Sequence, residues 1–249
     1  MSGGLVVVLG ATSAIGEATA RLYAAEHAPL VLAGRNQARL AAVAADLEAR
    51  GAESVDVRLA DLAAPRSPAA DLAAWVANRP VAAILLVYGV LGDQGRAETD
   101  IAYAGEVLAT DFSSAAAWCL AAANLLEAQK GGALVVVGSV AGDRGRQSNY
   151  VYGAAKAGLG VLVQGIAHRL ALRGSGARAA LVKPGFVDTP MTDHLPKSGP
   201  LWASPTSVAK VIHAAAKGGP PVRYAPGWWR WAMLAIRLAP APIFHRRPL

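Results

Sequence analysis

The sequence has little of what would hold together a small secreted domain or a membrane protein. One cysteine, Cys119, occurs in 249 residues. An internal disulfide framework is therefore excluded, the chain suits a reducing compartment, and a buried small hydrophobe is the expected role of that thiol. Charged residues are scarce at 16% while hydrophobic ones reach 54%, which argues against disorder. No uncharged stretch of roughly 18 residues reads as a membrane span. The first apolar run, Leu5-Val6-Val7-Val8-Leu9, is too short for a signal segment and lacks a basic flank. A cytosolic chain is expected. The histidines His27, His168, His194, His213 and His245 have no ligand spacing, so no metal site is expected. The net charge of +7 suits an acidic ligand, an anionic membrane or a nucleic acid. No basic run with interleaved aromatics lies along one helix, and nucleic acid is set aside.

What is present is an alternation. Short apolar runs at Leu5–Leu9, Leu30–Ala33, Ser54–Arg58, Ala82–Val87, Ala133–Val137, Ala177–Val182 and Val222–Tyr224 read as strands. Helix-like stretches lie between them near 14–27, 36–50, 68–78, 100–129, 151–173 and 205–217. This pattern predicts an α/β fold, a single Rossmann-type domain with a doubly wound parallel sheet of about seven strands. No linker or internal repeat divides the chain. The domain is expected over residues 1–225, with an apolar and basic helix and tail over 226–249 attached to it. Thr189–Pro205, rich in Pro and Gly, reads as a long loop over the site.

The first strand runs into Gly10-Ala11-Thr12-Ser13-Ala14-Ile15-Gly16. Glycine in a strand-to-helix turn lets backbone approach a pyrophosphate, and the helix start offers free N–H groups and a positive dipole end. The competing reading is an ordinary turn with a glycine at a packing contact. The second strand ends at Ala33-Gly34-Arg35-Asn36, without the carboxylate that would bind a ribose 2′-hydroxyl. Arg35 suits a 2′-phosphate instead, so NADP(H) is favoured over NAD(H). Asp61, followed by Leu62 after the third strand, is placed to accept from an adenine amino group or to cap a helix.

Tyr152 and Lys156 are four apart and share one helix face. A phenol titrates near pH 10, too high for ready proton transfer at neutrality, and a neighbouring ammonium favours the phenolate. Ser139 follows the fifth strand, at the sheet edge where ligands bind, and its hydroxyl suits a substrate carbonyl oxygen.

Together these residues resemble the short-chain dehydrogenase/reductase family over nearly the whole chain. The turn resembles TGxxxGxG with Gly10 and Gly16 kept and Ala14 at the middle glycine, and Ser139 lies thirteen residues before Tyr152. Pro184-Gly185-Phe186-Val187-Asp188-Thr189 resembles the family's PG-x-x-x-T segment. The resemblance implies that Pro184, Gly185, Val187 and Thr189 contact the nicotinamide half. It further implies that Lys156 binds the nicotinamide ribose, and that the chain forms a homodimer or homotetramer through the helices of 100–129 and 151–173. Besides Ala14, two further positions depart from the pattern. Tyr88-Gly89-Val90 stands for Asn-Ala-Gly, with Gly89 and Val90 still expected along the cofactor. Asp111 stands where an asparagine holds a water of the proton relay, and an ionised carboxylate there would alter nearby pKa values.

The tail packs Trp228, Trp229 and Trp231 close together, with Arg230 and Arg237 seven apart on one helix face. Such a segment suits packing on its own fold or a partner subunit, peripheral contact with the inner face of a membrane, or a lid over an apolar substrate. Ser148–Gly153, Gly89–Gln94 and Lys183–Thr192 are similar to the decaprenylphosphoryl-2-keto-ribose reductases, which implies a keto-sugar on a lipid carrier. Alternatives are a 3-oxoacyl or other apolar ketone reductase, a nucleotide-binding regulator weakened in catalysis, and a membrane-associated scaffold.

Overall fold

The computed structural model describes residues 4–197 and 201–246. Its strands are β1 (Leu5–Leu9), β2 (Leu30–Gly34), β3 (Val55–Leu59), β4 (Val81–Leu86), β5 (Ala133–Val137), β6 (Arg178–Pro184), β7 (Phe186–Val187), β8 (Trp202–Ala203) and β9 (Val222–Ala225). Seven of them form one parallel sheet in the order β3-β2-β1-β4-β5-β6-β9. All five residues of β1 are buried, as expected for a strand covered on both faces, which explains its unbroken apolar run.

The helices are α1 (Ala14–Ala24), α2 (Gln37–Ala49), α3 (Pro68–Val76), α4 (Gln94–Thr99), α5 (Ile101–Leu108), α6 (Ala115–Ala128), α7 (Tyr150–Leu172), α8 (Pro205–Lys217), α9 (Trp229–Leu238) and α10 (Ala241–Phe244). One face of the sheet buries Val6, Val8 and Leu32 against Leu40, Val208 and Ile212 of α2 and α8. The other buries Val7, Leu9 and Ile84 against Leu72, Trp118 and Leu159 of α3, α6 and α7. Each fully buried leucine in these layers stabilises the fold by about 1.5–3 kcal/mol. Cys119 belongs to the second layer and is fully buried, and burial raises its thiol pKa to about 12. The sheet order reverses between β1 and β4, so a crevice opens beyond their carboxyl ends.

Three places differ from the sequence expectation. The helix expected over 100–129 is interrupted by a π-helical stretch, Ala109–Ser114, whose buried residues are Asp111 and Ser114. Such widened turns concentrate at functional sites. Ser114 Oγ anchors this one, bonding the Thr110 carbonyl at 2.8 Å and the Tyr88 hydroxyl at 2.9 Å. Helix α4 is an addition, too short for its periodicity to register. Its cap Asp93 accepts from Arg96 N at 2.7 Å. The segment read as a long loop holds a 3-10 turn at Pro190–Thr192 and strand β8, which pairs with β7.

The C-terminal helix α9 packs on the same fold. Trp229 and Met233 are buried with Val140, against Phe186, Tyr224 and Ile236. Arg144 donates to the carbonyls of Ile236 and Ala239 at the end of α9 and lies 3.8 Å from the Phe244 ring. These bonds satisfy carbonyls that a helix end leaves free. The segment after β5 is thereby tied to the tail.

Candidate active site

The site begins with the turn after β1. Gly10 has φ +95 and a Cβ there would lie 2.7 Å from Tyr88 Cβ, so only glycine fits. Gly16 is a packing glycine, since an added Cβ would come within 2.6 Å of Gly10 O and 2.9 Å of Val87 Cγ2. It does not line the cleft, whereas Gly10, Thr12, Ser13, Ala14 and Ile15 do. Ser13 caps α1, accepting from Gly16 N at 3.0 Å and donating to Val87 O at 3.0 Å. Its hydroxyl is thus engaged by the fold itself.

A cleft of about 590 Å³ runs from this turn to the start of α7. At one end lie Arg35, Asp61 and Leu62. Asp61 Oδ1 accepts from Ala63 N at 3.1 Å, the local turn bond that competed with ligand binding in the sequence. Arg39 also lines this end and was missed from the sequence. Its guanidinium donates to Thr12 O at 2.7 Å. It stands four residues beyond Arg35, in the first turn of α2, a spacing that was available as a signal. At the other end lie Ser139, Tyr152, Lys156, Pro184, Gly185, Val187 and Thr189, with Gly89 and Val90 between. A Cβ on Gly185 would run into the Trp229 indole, so α9 buttresses this segment directly.

Among the proposed catalytic residues, Ser139 starts a 3-10 turn and accepts from Ala141 N at 3.1 Å. Lys156 Nζ is 5.6 Å from the centre of the Tyr152 ring. Asp111 lies behind the cleft and does not line it. Its Oδ1 is 3.2 Å from Lys156 Nζ, with side chains 0% and 4% exposed, and it accepts from Val90 N at 3.1 Å. Gly89 makes room for this pair, because a Cβ there would overlap Asp111 Oδ1 and come within 3.0 Å of Lys156 Nζ. The two departures from the family pattern are therefore in contact. Burial opposes the Lys156 charge, but Asp111 and Tyr152 together hold its pKa above the usual lysine value. Burial raises the Tyr152 pKa, Lys156 lowers it, Asp111 raises it again and the Ser139 hydroxyl lowers it, with a net rise. Among the described residues no group of His, Cys, Asp and Glu is placed to hold a metal ion.

The cleft fits a dinucleotide by its own features. A turn closed to side chains faces the amide groups at the start of α1, arginines stand at one end, and a buried ammonium stands at the other.

The short chain dehydrogenase family profile matches residues 4–199. The chain is a short-chain dehydrogenase/reductase. It is accordingly an NAD(P)-dependent oxidoreductase, with the single doubly wound domain of that family. An uncharacterised oxidoreductase of Mycobacterium tuberculosis is 40% identical over 246 residues, covering 98% of this chain and 96% of its own. One from Streptomyces coelicolor is 38% identical over 242 residues, covering 97% and 94%. A solved short-chain dehydrogenase from Sphingobium yanoikuyae, in complex with NADPH, superposes with a TM-score of 0.81 at 24% identity, covering 93% and 92%.

Proposed function

We propose that this short-chain dehydrogenase/reductase is an NADP(H)-dependent carbonyl reductase in which Tyr152 donates the proton. The supporting observation is that Ser139, Tyr152 and Lys156 lie on one cleft with the glycine turn. Gly10, Thr12, Ala14 and Ile15 would hold the pyrophosphate, and Val187 and Thr189 the nicotinamide half. When bound, the cofactor supplies the hydride that reduces the carbonyl carbon. Ser139 Oγ orients the carbonyl oxygen and shares its developing charge with the Tyr152 hydroxyl, which delivers the proton. Lys156 stabilises the phenolate left behind, and Asp111 holds Lys156 in place.

The preference for NADP(H) rests on Arg35 and Arg39, two exposed guanidiniums at the ribose end of the cleft with no carboxylate at the end of β2. The NADPH complex of the Sphingobium relative agrees. Arg35→Ala/Arg39→Ala is expected to raise the KM for NADPH about tenfold or more and leave that for NADH nearly unchanged. Equal effects on the two cofactors in steady-state kinetics would remove this assignment.

The substrate is proposed to be an apolar or lipid-linked ketone, such as a keto-sugar on a polyprenyl carrier, met at a membrane surface. No helix among the described residues is long and apolar enough to cross a membrane. Helix α9 instead turns Trp231, Leu234 and Leu238 outward, 64%, 42% and 73% exposed. They sit three and four apart and form one stripe, beside exposed Arg230 and Arg237. That pairing suits an anionic bilayer surface. Flotation with vesicles containing phosphatidylglycerol should carry the wild type upward, and Trp231→Ser/Leu238→Ser should stay at the bottom with its activity on a soluble ketone retained. Wild type remaining with the bottom fraction would overturn the membrane reading. Exposed Ile101, Val161 and Leu172 on α5 and α7 support assembly as a homodimer or homotetramer.

A further inference from the structure

The π-helical turn ahead of α6 is held from two sides. On one side stands Tyr88, two residues past β4. Its backbone lies against the glycine turn, since a Cβ on Gly10 would come within 2.7 Å of Tyr88 Cβ and 2.9 Å of Tyr88 N. Its ring packs on the core layer that contains Trp118 and Leu159, and its hydroxyl meets Ser114 Oγ at 2.9 Å. On the other side Phe112 lies against α7, where a Cβ on Gly158 would come within 3.1 Å of the ring. Asp111 sits between these two holds and faces Lys156 at 3.2 Å.

Counting protons gives the direction of the bond between the two hydroxyls. A serine hydroxyl has one proton to give. Ser114 donates its proton to Thr110 O at 2.8 Å, so Tyr88 donates to Ser114 Oγ. Burial pushes the Tyr88 phenol pKa up, which keeps that proton in place. Thr110 O is the carbonyl that a regular α-helix would offer to the amide of residue 114. A serine side chain bonded four residues back in this way bends a helix, and Tyr88 fixes the serine that does so.

We propose that Tyr88 and Ser114 are positioning residues for the proton donor, their hydroxyl pair holding the π-helical turn in the register that sets the Asp111 carboxylate against Lys156. They act through Asp111. Loss of the extra residue of the turn would rotate one side of it by about 100° relative to the other. Asp111 would then leave Lys156, and its influence on Tyr152 would go with it. Tyr152 is faced by Lys156 from α7, by Asp111 from the π-helical turn and by the Ser139 hydroxyl. Lys156 is faced by Asp111, Tyr152 and the buried Cys119 thiol of α6. Tyr88 is faced by Asp111, Cys119 and Asp61 besides Ser114. This inference deepens the carbonyl-reductase reading and rests on it.

The test is the pH profile of ketone reduction in Tyr88→Phe, which keeps the ring and removes the hydroxyl. The upper edge of the reduction plateau is expected to move to lower pH, in the direction of Asp111→Asn and no further, with NADPH affinity unchanged. Ser114→Ala should give the same shift, and the double variant no more than either alone. Ser114→Thr keeps a hydroxyl that can bond back to Thr110 O and should restore most of the wild-type profile. Added to Asp111→Asn, Tyr88→Phe should move the edge no further. An unmoved edge in Tyr88→Phe overturns the inference, whatever happens to its melting temperature. So does any shift that Asp111→Asn does not share, or one that adds to it. A second readout needs no turnover. In chemical denaturation the cycle of Tyr88→Phe and Asp111→Asn should be non-additive, because the strut's contribution includes the contact it holds; additive losses overturn the inference even if no ketone is reduced. Failure of the carbonyl-reductase reading shows separately, as absence of NADPH consumption by wild type with any ketone.

Discussion

Tyr152→Phe is expected to bind NADPH as the wild type does and to reduce ketones roughly 10²–10⁴-fold more slowly. The change removes one oxygen from a residue in the first turn of α7 that lines the cleft. The aromatic ring stays, so the packing of the helix start is retained. What goes is the proton donor, together with one of the two hydroxyls that stabilise charge on the substrate oxygen. Ser139 remains, and with it some orientation of the carbonyl. The loss should therefore fall on kcat, with KM little moved. Cofactor affinity, followed by quenching of tryptophan fluorescence, serves as the control because the pyrophosphate turn and Arg35 lie at the other end of the cleft. Turnover equal to wild type would mean that the proton comes from elsewhere. Loss of NADPH binding in parallel would mean that Tyr152 is structural.

Much of this site was legible in the sequence because its parts are set by local rules. A buried parallel strand must be apolar throughout, so β1 announced itself, and a turn needing positive φ must carry Gly10. Tyr152 and Lys156 sit one helical turn apart on α7. The less legible features depend on contacts between distant segments. Gly16 read as a phosphate glycine, yet its side is filled by Gly10 O and Val87. Nothing local distinguishes those two uses. The π-helical stretch at Ala109–Ser114 follows from Ser114 reaching Tyr88, 26 positions away, and a periodicity reading sees only one long helix. The role of α9 was open among packing, membrane contact and lid. Burial of Trp229 and Met233 assigns one face to the fold, and the opposite stripe stays exposed. Gly89 and Asp111 looked like two separate departures from a family pattern. Only the folded chain brings them together, one opening the space that the other fills.

That pair leads to the second large effect. Asp111→Asn is expected to move the pH dependence of alcohol oxidation to lower pH. Reduction consumes the phenol proton, so it proceeds at pH values below the Tyr152 pKa and fades above it. Oxidation requires the phenolate and has the opposite slope. Burial raises that pKa, Lys156 lowers it, and the Asp111 carboxylate raises it again. The carboxylate offsets part of the lowering that Lys156 gives, which with burial keeps Tyr152 protonated and suits a reductase. Asparagine retains an acceptor for Lys156 and Val90 but carries no charge, so the Tyr152 pKa should fall. The oxidation limb and the upper edge of the reduction plateau should then both shift downward. Asp111→Ala is a different perturbation. It leaves a buried ammonium without its counter-ion and should cost about 3–5 kcal/mol of stability, measurable by chemical denaturation. A purely structural Asp111 would change stability and leave both pH limbs where they are. Superimposable wild-type and Asp111→Asn profiles, recorded with the same cofactor, would therefore show that Asp111 holds Lys156 without tuning the proton donor. A coincident downward shift of both limbs would place the tuning on Tyr152 itself, because one group titrating in both directions is what moves them together.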